Sequence, residues 1–165
     1  MTVDPQAFRA VMGRFATGVA VVTTCEGSQR MGITVNAFCS VSLDPPQVLV
    51  CIERTSRVFA ALLHSGIFAV NLLRDDQQQL SICFAGNSEE RYRDFCSVRS
   101  HTEATGAPIF DDSLGWADCR VVAAYPGGDH TIFVGRVEAL GPGTGAPLLY
   151  YRSDYSRGPD GGHEP

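Results

Sequence analysis

The chain has 165 residues, of which 44% are apolar and 19% charged, with a formal charge of −5. This is one folded domain with a sizeable core rather than a disordered chain, and its acidity excludes a protein built to grip nucleic acid. All 13 basic residues are Arg; with no Lys, Schiff-base, pyridoxal-aldimine and Walker-loop chemistry are excluded by residue type.

In chain order, Asp4 reads as an N-cap and Pro5 as a first helical residue, with Ala7, Phe8, Val11 and Met12 on one face, which predicts an amphipathic helix over 5–14. Gly18 to Cys25 is β-branched and reads as a strand, Glu26-Gly27-Ser28 as a turn, and Met31 to Val35 as the returning strand. Cys39 to Leu43 alternates, Asp44-Pro45-Pro46 breaks the chain, and Gln47 to Ile52 reads as a buried strand. Thr55 or Ser56 caps a helix ended by Ser65-Gly66. A strand over 67–72 follows, then a helix capped by Asp75 or Asp76 and stopped at Gly86.

Residues 87–113 read as an irregular excursion with short helical turns. Gly115 to Tyr125 and Thr131 to Leu140 are two long strand-like runs joined tightly through Pro126 to His130, and Pro147 to Tyr151 is one more short strand. From Ser156 the Gly, Pro and charge predict a frayed tail, so the division is a domain over 1–155 and a tail over 156–165. The tally is mainly β with flanking helices, arranged as a small barrel rather than a wound parallel sheet.

The cysteines at 25, 39, 51, 83, 96 and 119 form no C-x-x-C pair and no metal-ligand spacing, and are expected to be small buried hydrophobes in a reducing compartment. Without a basic-plus-apolar leader or a long apolar run, a soluble cytoplasmic protein with no membrane partner is expected.

Four stretches can carry chemistry. Thr34, Asn36, Ser40 and Ser42 place small hydroxyls and an amide after a strand, suited to a flat heteroaromatic ligand or to satisfying their own turn. Glu53-Arg54-Thr55-Ser56-Arg57 stands between a strand and a helix N-terminus, as an anion site or as a cap with solvated arginines. Gly127-Gly128-Asp129-His130 puts a histidine beside a sharp turn, able to bond a substrate or simply to face solvent. Aromatics with an Arg at 148–155 cover a pocket or a neighbouring strand. No G-x-G-x-x-G, catalytic triad or metal cluster stands out.

The blocks FATGVAVVTT, GITVNAFCSVSLDPP, VLVCI, FAVNLL, AGNSEERY, TGAPIF, WADCRV, GGDHTIFVGRV and PLLYYRSDY, in this order from Phe8 to Tyr155, resemble the short-chain flavin reductase family. Its members are reductase components of two-component, flavin-dependent monooxygenases. The resemblance implies a split β-barrel of Greek-key type, a homodimer, and reduction of FMN or FAD by NADH or NADPH, with the reduced flavin leaving for a partner monooxygenase. It implies that Thr34, Val35, Asn36, Ala37 and Ser40 face the flavin and that Thr55, Ser56 and Arg57 form the phosphate turn. It also implies that His130 stands beside the nicotinamide and that Tyr151 and Tyr155 are the C-terminal aromatics. Glu53 departs from the family, whose turn often begins with Asn; a carboxylate aimed at phosphate repels it. Two alternatives share such a barrel. One is a flavin carrier or sensor without turnover; the other is a pyridoxamine-phosphate-type oxidase, which needs a second basic cluster.

Overall fold

The computed structural model describes residues 3–85 and 89–160. The chain opens with α1 (Pro5–Met12), capped as expected by Asp4, whose carboxylate accepts from the Ala7 N–H at 2.9 Å. The helix stops at Gly13, earlier than the sequence suggests, and none of its residues is buried. Its apolar face carries Phe8, Val11 and Met12, all more than half exposed.

A short strand β1 (Thr17–Gly18) leads into β2 (Ala20–Glu26), β3 (Gln29–Val35), β4 (Phe38–Leu43) and β5 (Pro46–Glu53). Helix α2 (Arg57–Ser65) follows, ended as expected by Gly66 in the left-handed region, and then β6 (Ile67–Leu72). A 3-10 turn (Asp75–Gln77) runs into α3 (Gln78–Ala85). The cap differs from expectation: the Arg74 N–H donates to the Gln77 side chain at 2.9 Å, while Asp75 and Asp76 lie inside the first turn. The stop expected at Gly86 lies outside the described residues.

The irregular stretch contains α4 (Glu90–Arg93), a tight turn at Phe95–Ser97, and a small ladder of β7 (Ser100–Thr102) with β8 (Pro108–Phe110). Buried polar groups pin that ladder to the main sheet. Asn71 accepts from the Phe110 N–H at 2.7 Å, and Asp118 accepts from the Thr105 N–H at 2.8 Å. Phe95, Cys96 and Ser97 have φ of 57°, 53° and 55°. Left-handed conformation costs a non-Gly residue roughly 1–2 kcal/mol, and it rarely recurs in consecutive residues. Cys96, in the middle of this turn, is disulfide-bonded to Cys83 on α3. This corrects the expectation of unpaired cysteines: α3 and the turn at Phe95–Ser97 pack together and join two residues that no motif spacing links.

The two longest strands are β9 (Gly115–Gly127) and β10 (His130–Pro142), whose ladder closes His130 on Gly127 around a two-residue turn with Gly128 at φ 72°. β11 (Leu148–Tyr151) pairs with β12 (Asp154–Arg157). The frayed tail expected from Ser156 is therefore not loose at its start. Ser156 and Arg157 are in the ladder, Gly158 is buried and donates its N–H to Pro147 at 2.8 Å, and Arg157 pairs with Asp75 at 2.9 Å.

The main sheet runs β3-β2-β6-β9-β10-β5-β4, and every neighbouring pair is antiparallel. Its two edge strands, β3 and β4, are consecutive in the chain, with only Asn36 and Ala37 between them. Such a link spans at most about 10–11 Å, so the sheet curls until its edges approach at that corner, without hydrogen-bonded closure among the described residues. One face carries Val22, Val50, Ile52, Phe68 and Phe133, which cluster with Leu62 of α2. A second cluster stacks Phe84, Phe95 and Phe110 under α3. Among the described residues, no helix is long and apolar enough to cross a membrane.

Candidate functional site

The corner between the two edge strands and the N-terminus of α2 carry most of the residues singled out from the sequence. Val35 and Asn36 line two hollows. A mostly apolar one of about 370 Å³ also includes Thr17, Phe38, Leu72 and Leu148. A smaller one of about 160 Å³ is closed by Thr34, Tyr150 and Tyr155. Asn36 and Ala37 stand outside the ladder pairing on either side of the corner, and the Ala37 carbonyl accepts from the Cys51 N–H at 3.1 Å. Thr34 turns its hydroxyl into the protein, donating to the Ser81 carbonyl at 2.7 Å. The Ser81 hydroxyl in turn meets the Tyr155 hydroxyl at 2.9 Å. Tyr155 is thus tied to α3 behind the corner, with its ring edge-on to Tyr150 at 5.2 Å.

A third hollow of about 630 Å³ opens at the start of α2, with walls from Thr55, Ser56, Arg57, Glu89, Arg91, Tyr92 and Arg93. Three guanidinium-bearing residues against one carboxylate, beside free helix N–H groups, make this wall suited to an anion. The Arg57 guanidinium lies 4.8 Å and that of Arg91 4.6 Å from the centroid of the Tyr92 ring. Arg91 is buried and donates to the Phe84 carbonyl at 2.8 Å. Glu53 is not among these walls; its carbonyl accepts from the Ser56 N–H and hydroxyl at 3.1 and 2.9 Å. The Ser56 hydroxyl also accepts from the Phe59 N–H at 3.1 Å, so it serves as the helix cap. The exposed Thr55 hydroxyl makes no hydrogen bond among the described residues.

The β5–β10 ladder sets His130 opposite Glu53. The His130 Nδ1 lies 2.7 Å from an Asp129 carboxylate oxygen, and this hydrogen bond is the main cause that holds the Asp129 carboxyl below its ordinary range. Tyr151 is exposed, with the Arg152 guanidinium over its ring, and Ser40 is exposed on β4; neither is among the walls of the three hollows. The sequence reading did not pick out Arg91, Tyr92 or Arg93. Their signal was an aromatic flanked by two arginines in a stretch otherwise read as irregular.

Residues 12–159 match the flavin reductase like domain family. The chain belongs to that family. It is 46% identical over 162 residues to a flavin reductase (NADH) of Kitasatospora aureofaciens, covering 95% of this chain and 83% of the relative. It is 36% identical over 157 residues to the reductase subunit HsaB of a flavin-dependent monooxygenase from Mycobacterium tuberculosis, covering 93% and 82%. Among solved structures it resembles the NADH:FAD oxidoreductase SgcE6 of Streptomyces globisporus in complex with NAD and FAD fragments. That match has a TM-score of 0.87 at 32% identity, covering 99% of each chain. The expected flavin reductase is borne out, as is its mainly β architecture with flanking helices.

Proposed function

We propose that this flavin reductase takes FMN or FAD with the phosphate end at the N-terminus of α2 and the ring at the corner between β3 and β4. NADH or NADPH is the reductant, and reduced flavin passes to a partner monooxygenase. The observation that carries the reading is the basic hollow of about 630 Å³ built by Thr55, Arg57, Arg91 and Arg93 in a chain of this family. Its donor set fits a phosphate-bearing ligand and lies apart from the apolar hollow, which fits a planar ring.

When bound, the flavin supplies a ring that accepts hydride from the nicotinamide. The residues of this chain bind and orient. Arg57 and Arg93 neutralise phosphate charge, and buried Arg91, bonded to the Phe84 carbonyl, packs on the Tyr92 ring that Arg57 also contacts. Asn36 and Ala37, free of the ladders, offer amide donors where the pyrimidine side of the ring gains charge. His130 keeps Nε2 available for the nicotinamide nucleotide while Nδ1 is tied to Asp129.

The curled sheet is a split barrel in this reading, and the active species is a homodimer. A second copy covers the exposed apolar face of α1, at Phe8, Val11 and Met12, and the apolar hollow of about 510 Å³ lined by Val48, Trp116, Val137 and Leu140. The reductant and the reading of the sequence fit a cytoplasmic protein.

Steady-state oxidation of NADH and NADPH with FMN, FAD and riboflavin tests the assignment. Turnover with phosphate-bearing flavins at a lower KM than with riboflavin is the expected result. Tight flavin binding with no nicotinamide oxidation would instead mark a carrier or sensor.

A further inference from the structure

We propose that a second copy of this chain seats on the outer face of β5, β10 and β9, and that its Arg120 and Arg136 come to the Asp129–His130 end of that face to complete the nicotinamide site. The inference rests on the homodimer and on the place of His130 given above.

Side chains alternate between the two faces of a strand. On one face Val50, Ile52 and Phe133 enter the main cluster. The other face carries Leu49 and Cys51 on β5, Ile132 and Val134 on β10, and Ala123 and Tyr125 on β9, set side by side by the two ladders. Tyr125 is exposed and the other five are half-buried, which makes this an apolar patch open to solvent.

The two ends of the patch carry opposite charge. At the hairpin tip Glu53 pairs with His130, whose ring is bonded to Asp129, so two carboxylates surround the imidazole. The Glu53 carboxylate has no hydrogen bond or ion pair among the described residues. The neighbouring Arg54 does not offset them, because its side chain donates to Thr131, which points to the opposite face. About 20 Å along β10, Arg136 stands directly across from Arg120. Arg136 is held by Glu138 at 2.7 Å, whereas the exposed Arg120 guanidinium has no hydrogen bond or ion pair among the described residues. Like charges directly opposite on adjacent strands are destabilising, and an acidic group laid over them removes that cost.

Such a face is complementary to itself. A two-fold axis lying in the interface and crossing the strands near Phe133 lays β10 of one copy antiparallel over β10 of the other. Each acidic end then covers the other copy's basic end, with the apolar residues meeting between them. An axis running along the strands would instead stack like charges, which selects the first arrangement. The pairing also changes the sign of the field at His130. Within one copy, Glu53 and Asp129 repel the anionic pyrophosphate of a nicotinamide nucleotide; the arginines of the second copy attract it.

The test uses two charge-reversed variants, one carrying Arg120→Glu and Arg136→Glu, the other Glu53→Arg and Asp129→Arg. Sedimentation gives the mass and steady-state kinetics at saturating FMN give the KM for NADH. Each variant alone meets like charge across the interface and is expected to sediment as a monomer with the KM raised about tenfold. Mixed in equal amounts, they meet opposite charge at both ends. The dimer should return with one unaltered site at the wild-type KM, a recovery that also shows both variants fold. Dilution of unaltered protein until it dissociates should raise the KM in the same way, and it decides the matter even where a variant unfolds. A KM that ignores dissociation overturns the second copy's part in the site. Variants that remain dimers singly overturn the interface and leave the homodimer standing. A monomeric wild type overturns the homodimer and the inference together, and an unchanged KM in His130→Ala does the same to the reading of His130.

Discussion

His130 stands directly across from Glu53 in the ladder between β5 and β10, so the tip of the long hairpin and the turn before α2 form one rigid unit. Two further bonds fasten it: the Arg54 N–H donates to the Asp129 carbonyl at 3.1 Å, and the Arg54 side chain donates to Thr131 at 3.2 Å. In the proposed reading, a nucleotide bonded by His130 would be placed relative to the turn before α2 by this backbone pairing.

His130→Ala is expected to raise the KM for the nicotinamide and lower kcat/KM about tenfold, roughly 1.4 kcal/mol, with flavin affinity little changed. Asp129→Asn keeps the ring and should cost less. Asp129 has a lowered pKa, so its contribution is complete above the ordinary carboxylate range and fades as pH falls through the lowered value. Melting and kinetics on the same preparation decide the matter; a lower melting temperature with unchanged kinetics would remove His130 from the site.

Ser56→Ala and Arg57→Ala separate fold from binding. The Ser56 hydroxyl is committed to the Glu53 carbonyl and the Phe59 N–H, so its loss should cost about 1 kcal/mol of stability and leave the FMN-to-riboflavin ratio close to wild type. Arg57→Ala should lower that ratio, since the guanidinium lines the basic hollow. Equal loss of both flavins in Arg57→Ala would count against a phosphate role.

What could be read from the sequence follows from how local each cause is. The cap at Asp4, the glycine stop of α2 and the two strands on either side of the Asp44-Pro45 break are set by neighbours in the chain, and they stand where expected. Strand β12 was hidden because its hairpin turns on Arg152 and Ser153, with φ of 52° and 65°, where an Asn-Gly or Asp-Gly pair would have announced it. The inward turn of Thr34, the Cys83–Cys96 bond and the Arg91–Tyr92–Arg93 wall depend on α3 and α4 packing beside β3, which no local pattern states.

Ending the chain after Ser156 is expected to destabilise it. The cut removes the Gly158 bond to Pro147 and the Arg157–Asp75 pair, about 1–2 kcal/mol together, or a melting temperature lower by about 2–8 °C. Ending it after Asp160 keeps both. Equal melting of the two truncations and the full chain would show that the strand end contributes nothing.

Thiol labelling should divide the cysteines by burial. Cys39 is exposed, whereas burial, with Asp118 and Glu138 nearby, pushes the Cys119 thiol up to about 12. The reactive thiolate forms only as pH approaches the pKa. Mildly alkaline iodoacetamide should therefore modify Cys39 quickly and reach Cys119 only on unfolding, as peptide mass mapping against denaturant will show. Rapid labelling of Cys119 in native protein would mean that β9 opens at that point.

Gly135 tests whether close approach, rather than backbone freedom, explains a glycine in the middle of a long strand. It lies on β10 opposite Val121 and Val48, at a register shift in the ladder with β9. A Cβ there would stand 2.4 Å from the Phe68 ring tip and 3.0 Å from the Cys119 Cβ. Phe68 is fully buried, so the ring has nowhere to move without disturbing the main cluster. Gly135→Ala should therefore cost about 1–3 kcal/mol in denaturant unfolding while leaving kinetics per folded molecule unchanged. Phe68→Leu alone should also destabilise, by opening a cavity. In the double variant the smaller side chain makes room for the new methyl, so the combined loss should fall below the sum of the two single losses. Strict additivity would show that Gly135 and Phe68 do not share the space the structure gives them.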